Sequence, residues 1–183
     1  MKAIEFFTSP EGDVLFSTEK CIVTELSENE TVLIDVLFEK IRTDYPDAFT
    51  ALSDEYDKSV RNLPYFRFLV VRRFIRCNMS NFDTLAIDFD SEGIFHFEQV
   101  SCPMRGECKL YKIVCSPKYN SHLTKTELRI LAMYCQPMEM DSIASELYMS
   151  PHTVDTHLKN IRRKTECHSK AELMKFYEKI KQT

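Results

Sequence analysis

The chain has 183 residues and a formal net charge of −4, which allows one or two domains and makes the whole weakly acidic. Its three glycines, Gly12, Gly93 and Gly106, stand too far apart to form a glycine-rich phosphate loop or a dinucleotide fingerprint. The sequence also lacks an HExxH run and the signatures of serine and cysteine nucleophiles, so we predict that it is not an enzyme.

The hydropathy pattern along the chain indicates the cellular compartment of the protein. The N-terminal residues interleave charged with apolar side chains, and no long apolar run follows them. The densest apolar stretch, residues 65–75, is interrupted by three arginines. This pattern predicts a soluble, cytoplasmic protein without a membrane span. The seven cysteines are then expected to be thiols or metal ligands rather than disulfides.

The first predicted elements are a hairpin and a helix. Residues 3–8 and 13–17 have strand character and are separated by Ser-Pro-Glu-Gly, which predicts a β-hairpin. Ser27 and Glu30 then have the spacing of a capping box, and the apolar periodicity that follows predicts a helix over about 28–43.

Two more helices are predicted in the next forty residues or so. Pro46 suits the first turn of one, whose buried side is expected to hold Phe49, Leu52 and Tyr56. Residues 62–77 are apolar nearly all round and favour a central helix, with a buried strand through 68–71 as the alternative. Three arginines would share one face of this helix and either bind a phosphate-bearing ligand or DNA, or form a solvated face paired with acidic groups: Arg72, Arg73 and Arg76.

A second hairpin is predicted around Asp90-Ser91-Glu92-Gly93, with strands over 84–89 and 94–100. Its buried face would consist of Leu85, Ile87, Phe89, Phe95 and Phe97. Residues 1–117 are therefore expected to form an α+β domain. This part carries 13 Lys+Arg against 20 Asp+Glu, a net charge of −7, while the remainder carries 11 against 8, a net charge of +3.

Three cysteines with the spacing C-x5-C-x6-C follow the predicted hairpin: Cys102, Cys108 and Cys115. Thiolates in a short irregular segment suit a zinc ion or an iron–sulfur cluster, with Cys77 or His96 as the fourth ligand. The spacing lacks the C-x2-C pair typical of zinc sites, and free cysteines often pack as small apolar residues. Metal binding and plain packing are both retained as hypotheses. We assign no role to Cys21, Cys135 and Cys167.

Residues 118–183 predict a helical domain. Thr124 and Glu127 have capping-box spacing before a helix over about 125–135. A second helix is predicted over 141–147, with the small Ala144 where two helices would cross closely. A third helix, over about 150–165, has a Ser-Pro start signal and an apolar stripe formed by Val154, Leu158 and Ile161.

Two helices joined by a short turn, the second of them exposing basic and hydrogen-bonding side chains, predict a helix-turn-helix that places a helix in the DNA major groove. The alternatives are a small helical bundle without a binding partner and a protein-interaction domain. Side chains suited to phosphates and base edges favour double-stranded DNA as the partner. The predicted contacts are Thr153, Asp155, Thr156, His157, Lys159, Asn160, Arg163 and Lys164.

This region resembles the LuxR/GerE-type DNA-binding domain of bacterial transcription regulators. The runs LTKTEL, SIASEL, MSPHTVDTHLKNIRRK and SKAELMKFYEKI carry the resemblance over about residues 121–181. It implies a four-helix fold, a recognition helix at 150–165, and a last helix, about 169–181, that pairs two subunits into a homodimer. Its apolar stripe would provide this contact or simply cap the bundle: Leu173, Phe176, Tyr177 and Ile180. RNA polymerase is a further expected partner.

The sequence departs from that family at two positions. Pro137 stands where the family usually has glycine after the first helix, so the turn must follow another path, because proline cannot take positive φ. Asp155 stands where the family usually has lysine, and it would repel phosphate or accept a hydrogen bond from a cytosine amino group.

The N-terminal domain does not look like the phosphoryl-acceptor receiver that commonly precedes such modules, because its first strand is followed by Thr-Ser-Pro-Glu-Gly rather than an acidic pair. The runs RFIRCN and SCPMRGEC are similar to uncharacterised LuxR-type regulators of Bacteroidetes. We therefore expect a sequence-specific transcription regulator. The alternatives are a thiol- or metal-based sensor or interaction module that uses the helix-turn-helix as its output, and a sigma-factor-like promoter-binding protein.

Overall fold

A computed structural model describes residues 3–18, 22–82 and 87–181. The chain folds into two compact units, Met1–Lys118 and Tyr119–Thr183. The first contains a small antiparallel sheet and three α-helices, and the second is helical, so the predicted α+β class is confirmed. No helix in the described ranges is long and apolar enough to cross a membrane.

The sheet of the first unit has three strands in sequential order: β1 (Ile4–Thr8), β2 (Val14–Thr18) and β3 (Val23–Glu25). The predicted hairpin is confirmed, with Phe6 opposite Phe16 in the antiparallel ladder. Its turn closes through Gly12, whose backbone N–H donates to the Ser9 carbonyl and whose φ of 91° suits a residue without a side chain. Strand β3 was not predicted, because three residues are too few for a period to be read.

Three α-helices complete this unit: α1 (Thr31–Asp44), α2 (Pro46–Glu55) and α3 (Leu63–Asn78). A short 3-10 turn over Asp57–Ser59 separates α2 from α3. The capping box expected at Ser27 and Glu30 is wrong. Glu30 precedes α1 without a side-chain cap, and its N–H donates to the backbone carbonyl of Ser27, so a turn occupies these residues and the helix starts later.

Helix α3 is the centre of the unit, and the alternative of a buried strand there is wrong. Four of its residues have no exposed surface: Val70, Val71, Phe74 and Ile75. Helix α1 packs against it through an equally buried Leu37 and Ile41. On α2 the fully buried residues are Ala48 and Leu52, while Phe49 and Tyr56, expected inside, are half-buried.

The second predicted hairpin is mostly not formed. Residues 84–86 lie outside the described ranges, and 94–100 contributes only an isolated bridge between Phe89 and Phe95. The Asp90 carboxylate accepts the backbone N–H groups of Glu92 and Ile94, which makes a tight turn. Beyond Phe95 the Glu98 N–H donates to the Asn78 carbonyl, so the chain leaves the ladder for the end of α3. Of the expected inward residues, Phe89 and Phe95 are buried and Ile87 is exposed.

The second unit has four helices: α4 (Lys125–Tyr134), α5 (Met140–Glu146), α6 (Pro151–Thr165) and α7 (Lys170–Lys181). Each helix contributes to one apolar core, whose fully buried members are Ile130, Leu131, Ile143, Val154, Ile161 and Leu173. Ala144 is also buried, as a close helix crossing requires.

Candidate nucleic-acid interface and cysteine pocket

Helix α4 is fixed at its start by a complete capping box. The Thr124 hydroxyl accepts the Glu127 N–H at 3.2 Å, and the Glu127 carboxylate accepts the Thr124 N–H at 2.8 Å. The prediction from the T-x-x-E spacing is confirmed. The helix ends without a positive φ. After it, the Met138 N–H donates to the Gln136 carbonyl across Pro137, and this bond closes a three-residue turn that proline permits. The other path expected from Pro137 is therefore present.

The turn of the helix-turn-helix is a Schellman motif. After α5, the Tyr148 N–H donates to the Ser145 carbonyl and the Met149 N–H to the Ala144 carbonyl. Tyr148 has a φ of 54°, in the left-handed region where glycine is normally found, and is 97% exposed. A large exposed aromatic side chain thus occupies a strained position immediately before α6. Sequence reasoning missed it, because a tyrosine gives no signal for positive φ.

Helix α6 has a fully packed inner face and an exposed outer face. The Ser150 hydroxyl accepts the Thr153 N–H at 3.1 Å, so the predicted Ser-Pro start is confirmed. Inside, Val154, Leu158 and Ile161 are buried. The outer stripe follows the helical repeat at positions 152, 156, 159 and 163 and consists of His152, Thr156, Lys159 and Arg163, all exposed.

The eight predicted DNA contacts divide by exposure. Thr153, Thr156, Lys159 and Arg163 are exposed, while Asp155, His157, Asn160 and Lys164 are half-buried. The Arg163 side chain forms no hydrogen bond or ion pair with another residue in the described ranges, so its guanidinium group is available. All eight lie on one helix, but three of the charged side chains, Asp155, Lys159 and Lys164, have partners within the protein.

Asp155 and Lys159 form the first pair. The Lys159 ammonium lies 2.8 Å from the Asp155 carboxylate, one helical turn away. The hydrogen bond from Lys159 lowers the pKa of Asp155. The lysine remains 70% exposed, so this is a solvent-screened pair that a phosphate can disrupt. Asp155 thus orients the next cation along the helix.

Lys164 and Glu127 form the second pair, and this one is inside the fold. The Lys164 ammonium lies 2.7 Å from the Glu127 carboxylate, whose side chain is only 5% exposed. Burial raises the pKa of Glu127, but the hydrogen bonds from Lys164 and Thr124 outweigh it and hold that pKa below its ordinary value. Lys164 therefore joins the end of α6 to the start of α4, and a DNA contact through it stays a prediction.

Helix α7 directs its apolar stripe inward. Leu173 is fully buried, and Phe176, Tyr177 and Ile180 are half-buried against the same core. The Tyr119 ring packs edge-on against Phe176, with ring centroids 6.2 Å apart. The stripe therefore caps the bundle, the second of the two roles expected for it, and a subunit contact through α7 stays a prediction.

These elements define the class: a four-helix domain built around a helix-turn-helix whose second helix, α6, has an exposed outer face. Residues 121–177 match the family model described as "Bacterial regulatory proteins, luxR family". This segment is a GerE/LuxR-family helix-turn-helix domain, and the predicted resemblance is confirmed over that range. Neither the curated proteins nor the solved structures contain a match to the chain.

A separate feature lies in the first unit, where four cysteines line one pocket. Cys77 comes from the last turn of α3, and Cys102, Cys108 and Cys115 come from the irregular segment 102–115, named here the cysteine loop. The cavity measures about 170 Å³. His96, the alternative fourth ligand, is not part of its lining, and its Nε2 lies 2.9 Å from an Asp90 carboxylate oxygen.

The thiols of the pocket lie beside positively charged side chains. Burial raises the pKa of Cys77 to about 11, an effect that Arg73 opposes and the other three cysteines reinforce. Arg73 also donates a hydrogen bond to the Cys108 sulfur at 3.7 Å. Three arginines in all line the cavity, Arg73, Arg76 and Arg105. Of these, Arg73 and Arg76 belong to the predicted arginine face of α3, whereas Arg72 pairs with Asp13.

One acidic group was not foreseen from the sequence. Ligand atoms of Glu5, Asp88 and Glu98 lie within 4.8 Å of one another. The Asp88 carboxylate accepts the Phe6 N–H at 2.7 Å, and the Glu98 carboxylate accepts the N–H groups of Ser80 and Asn81. These bonds tie β1 and the end of α3 to the segment around Phe89. We therefore interpret the acidic group as structural.

Proposed function

We propose that this chain is a sequence-specific DNA-binding transcription regulator in which α6 enters the major groove. The observation that carries the proposal is the division of α6 into a buried inner face and an exposed outer stripe. This stripe ends at Arg163, whose guanidinium group has no partner in the described ranges. A helix presented in this way has the shape and chemistry that major-groove recognition requires. The family match over 121–177 supports the same function.

Within this proposal the predicted contact residues of α6 have two tasks. Thr153 lies at the N-terminal end of α6, where the helix dipole and the first N–H groups favour an anion. Its hydroxyl, 2.8 Å from the Ser150 hydroxyl in the free protein, suits a phosphate there. Lys159 and Arg163 lie about two and three turns further along and suit guanine edges or phosphates. Thr156, His157 and Asn160 provide shorter hydrogen-bonding groups between them.

Asp155 tunes this surface. Its carboxylate holds the Lys159 ammonium at 2.8 Å in the free protein. Close to DNA the same carboxylate either accepts a bond from a cytosine amino group or repels a phosphate, and in both cases it disfavours indiscriminate binding. We propose that the pair raises the specificity of α6 at some cost in affinity.

Homodimer formation and contact with RNA polymerase complete the proposal. A twofold arrangement would place two α6 helices about 34–36 Å apart, in successive major grooves. Because the α7 stripe is largely committed to its own core, the subunit contact would use the part of α7 that stays outside, including Met174, which is 44% exposed.

The test uses the full chain and two matched double variants. Lys159→Ala with Arg163→Ala removes two exposed cations from α6, and Lys58→Ala with Arg61→Ala removes two exposed cations from the first unit. Binding to a randomised duplex pool is measured by fluorescence anisotropy at two salt concentrations. We expect the first variant to lose roughly tenfold or more in affinity and the second to bind like the parent chain. Equal affinity for both variants would contradict the proposal.

A further inference from the structure

We propose that the cysteine pocket binds an iron–sulfur cluster through the thiolates of Cys77, Cys102, Cys108 and Cys115. The inference is independent of the DNA-binding proposal, because it concerns the first unit alone. It rests on the position of four cysteines that the sequence analysis grouped only as candidates: a helical cysteine and three loop cysteines, separated by up to 38 positions, line one cavity.

The composition of the pocket restricts the metal. Its candidate ligands are four sulfur atoms, and His96, the alternative fourth ligand, lies outside the lining and is paired with Asp90. Soft thiolate ligands select zinc, copper(I) and iron–sulfur centres over hard cations such as magnesium and calcium. The choice therefore falls mainly between a single zinc ion and a cluster.

The spread of the sulfur atoms favours the cluster. Zinc–sulfur bonds of about 2.3 Å in a tetrahedron bring four sulfurs to about 3.8 Å from one another. Among the described residues, no three of these cysteine sulfurs lie within 4.8 Å of one another. A four-iron cluster binds each cysteine through a different iron, and a two-iron cluster binds two cysteines at each end, so the four ligands together stand farther apart around a larger body. A cavity of about 170 Å³ provides room for that body.

The arginines supply the charge that such a centre requires. A cluster with a core charge of +2 and four thiolates carries about −2 in total. Arg73, Arg76 and Arg105 line the cavity, and Arg73 already donates to the Cys108 sulfur at 3.7 Å. Hydrogen bonds to ligand sulfurs are a regular feature of cluster sites and stabilise the anionic form.

Hydrogen bonds and buried side chains attach the cysteine loop to α3. Asn78, at the end of α3, is buried and donates its side-chain amide to the carbonyls of Phe74 and Val114. Leu110 and Val114 insert their side chains into the first unit. The backbone around these anchors forms successive turns. Cys108 and Cys115 therefore lie beside α3, where they line the pocket with Cys77.

A four-iron cluster would assemble in the pocket from iron and sulfide ions. Two iron(II), two iron(III) and four sulfide ions form a core of charge +2, and four iron–sulfur bonds to the protein form as four thiol protons pass to the solvent. All inorganic components are supplied from outside the chain, and no protein residue is oxidised or reduced.

The experiment measures metal on the full chain purified without oxygen and then incubated with iron(II), iron(III) and sulfide. Iron, zinc and acid-labile sulfide are quantified per chain, and the visible sulfur-to-iron charge-transfer absorption is recorded. The four pocket cysteines are each changed to serine, and Cys135→Ser and Cys167→Ser serve as matched controls in the second unit. Cys102→Ser and Cys115→Ser are the most informative changes, because both residues are exposed and their loss leaves packing intact.

We expect iron and sulfide in equal amounts, about two or four of each per chain. Both should fall severalfold in each pocket variant and stay unchanged in both controls, with circular dichroism the same throughout. Stoichiometric zinc without iron and sulfide would overturn the cluster assignment. Binding of neither metal, or iron retained in a Cys102→Ser, Cys115→Ser double variant, would overturn the site itself. Because no DNA is present, none of these results bears on the proposed DNA binding.

Discussion

At the scale of single residues, Arg163 is the side chain that most cleanly separates DNA binding from a structural role. It is exposed and makes no hydrogen bond or ion pair with the rest of the described chain, so Arg163→Ala should leave stability unchanged. If Arg163 contacts a phosphate, affinity should fall for all sequences and the salt slope should decrease by about one. If it contacts a base, the loss should be about 1–3 kcal/mol at one position of the site.

Titrations of a fixed duplex at several salt concentrations distinguish these two outcomes. Arg61→Ala, which removes an exposed arginine from the first unit, is the matched control. Wild-type affinity and slope for Arg163→Ala would show that the outer face of α6 has been assigned wrongly.

Asp155 gives a prediction of the opposite sign. Asp155→Asn keeps the shape of the side chain but removes the charge that holds Lys159 at 2.8 Å. We expect tighter binding to non-specific DNA and weaker discrimination between sequences, because one negative charge leaves the surface and one lysine is released. Competition between a selected and a scrambled duplex measures both effects. Glu146→Asn, an exposed carboxylate on α5, controls for net charge, and an equal gain there would contradict a local role.

At the scale of elements, the contact between α4 and α6 depends on Glu127. Its carboxylate accepts both the Thr124 N–H and the Lys164 ammonium while almost fully buried. Glu127→Gln should destabilise the helical unit by about 1–3 kcal/mol, because Lys164 loses its charged partner and the cap is weakened. Hydrogen exchange of α4 and α6 amides measures the loss. Glu146→Gln should cost almost nothing.

The same carboxylate gives a dependence on pH. The pKa of Glu127 is lower in the folded chain than its ordinary value, so its contribution is complete above the unfolded pKa of about 4.3. The contribution should disappear as the pH falls from there through the folded pKa. The difference in stability between the parent chain and Glu127→Gln should therefore shrink in acid. A difference that is constant between neutral and acidic pH would contradict this assignment.

Tyr148 tests the turn between α5 and α6. Its φ of 54° is costly for any residue with a Cβ atom, so Tyr148→Gly should make the helical unit about 1 kcal/mol more stable than Tyr148→Ala. The comparison with alanine removes the effect of losing the ring. Hydrogen exchange of α6 amides again gives the measurement, and equal stability of the two variants would mean that the turn is not strained.

Sequence patterns predicted elements whose start signals are local. The Thr124 and Glu127 capping box and the Ser-Pro start of α6 depend on residues within three positions of each other, and both are present. The same spacing at Ser27 and Glu30 failed, because a backbone hydrogen bond took its place. The pairing of Lys164 with Glu127 could not be read from the sequence, since it joins residues 37 positions apart.

At the scale of the whole chain, contacts between residues far apart in the sequence could not be predicted from local patterns. The hairpin expected over 84–100 competed with hydrogen bonds to the end of α3, which a local pattern does not record. The convergence of Cys77 with the cysteine loop was proposed from composition alone, and the packing of α3 against that loop is what brings them together. The role of the first unit as an input for the second stays a prediction.

The most direct test of DNA reading by α6 is selection of a randomised duplex pool by the full chain at two salt concentrations, followed by sequencing of the retained DNA. We expect an enriched motif, with two half-sites about one helical turn apart if the chain binds as a dimer, and an affinity that falls as salt increases. Retention without any enriched sequence, or no retention at low salt, would contradict sequence-specific recognition by this helix.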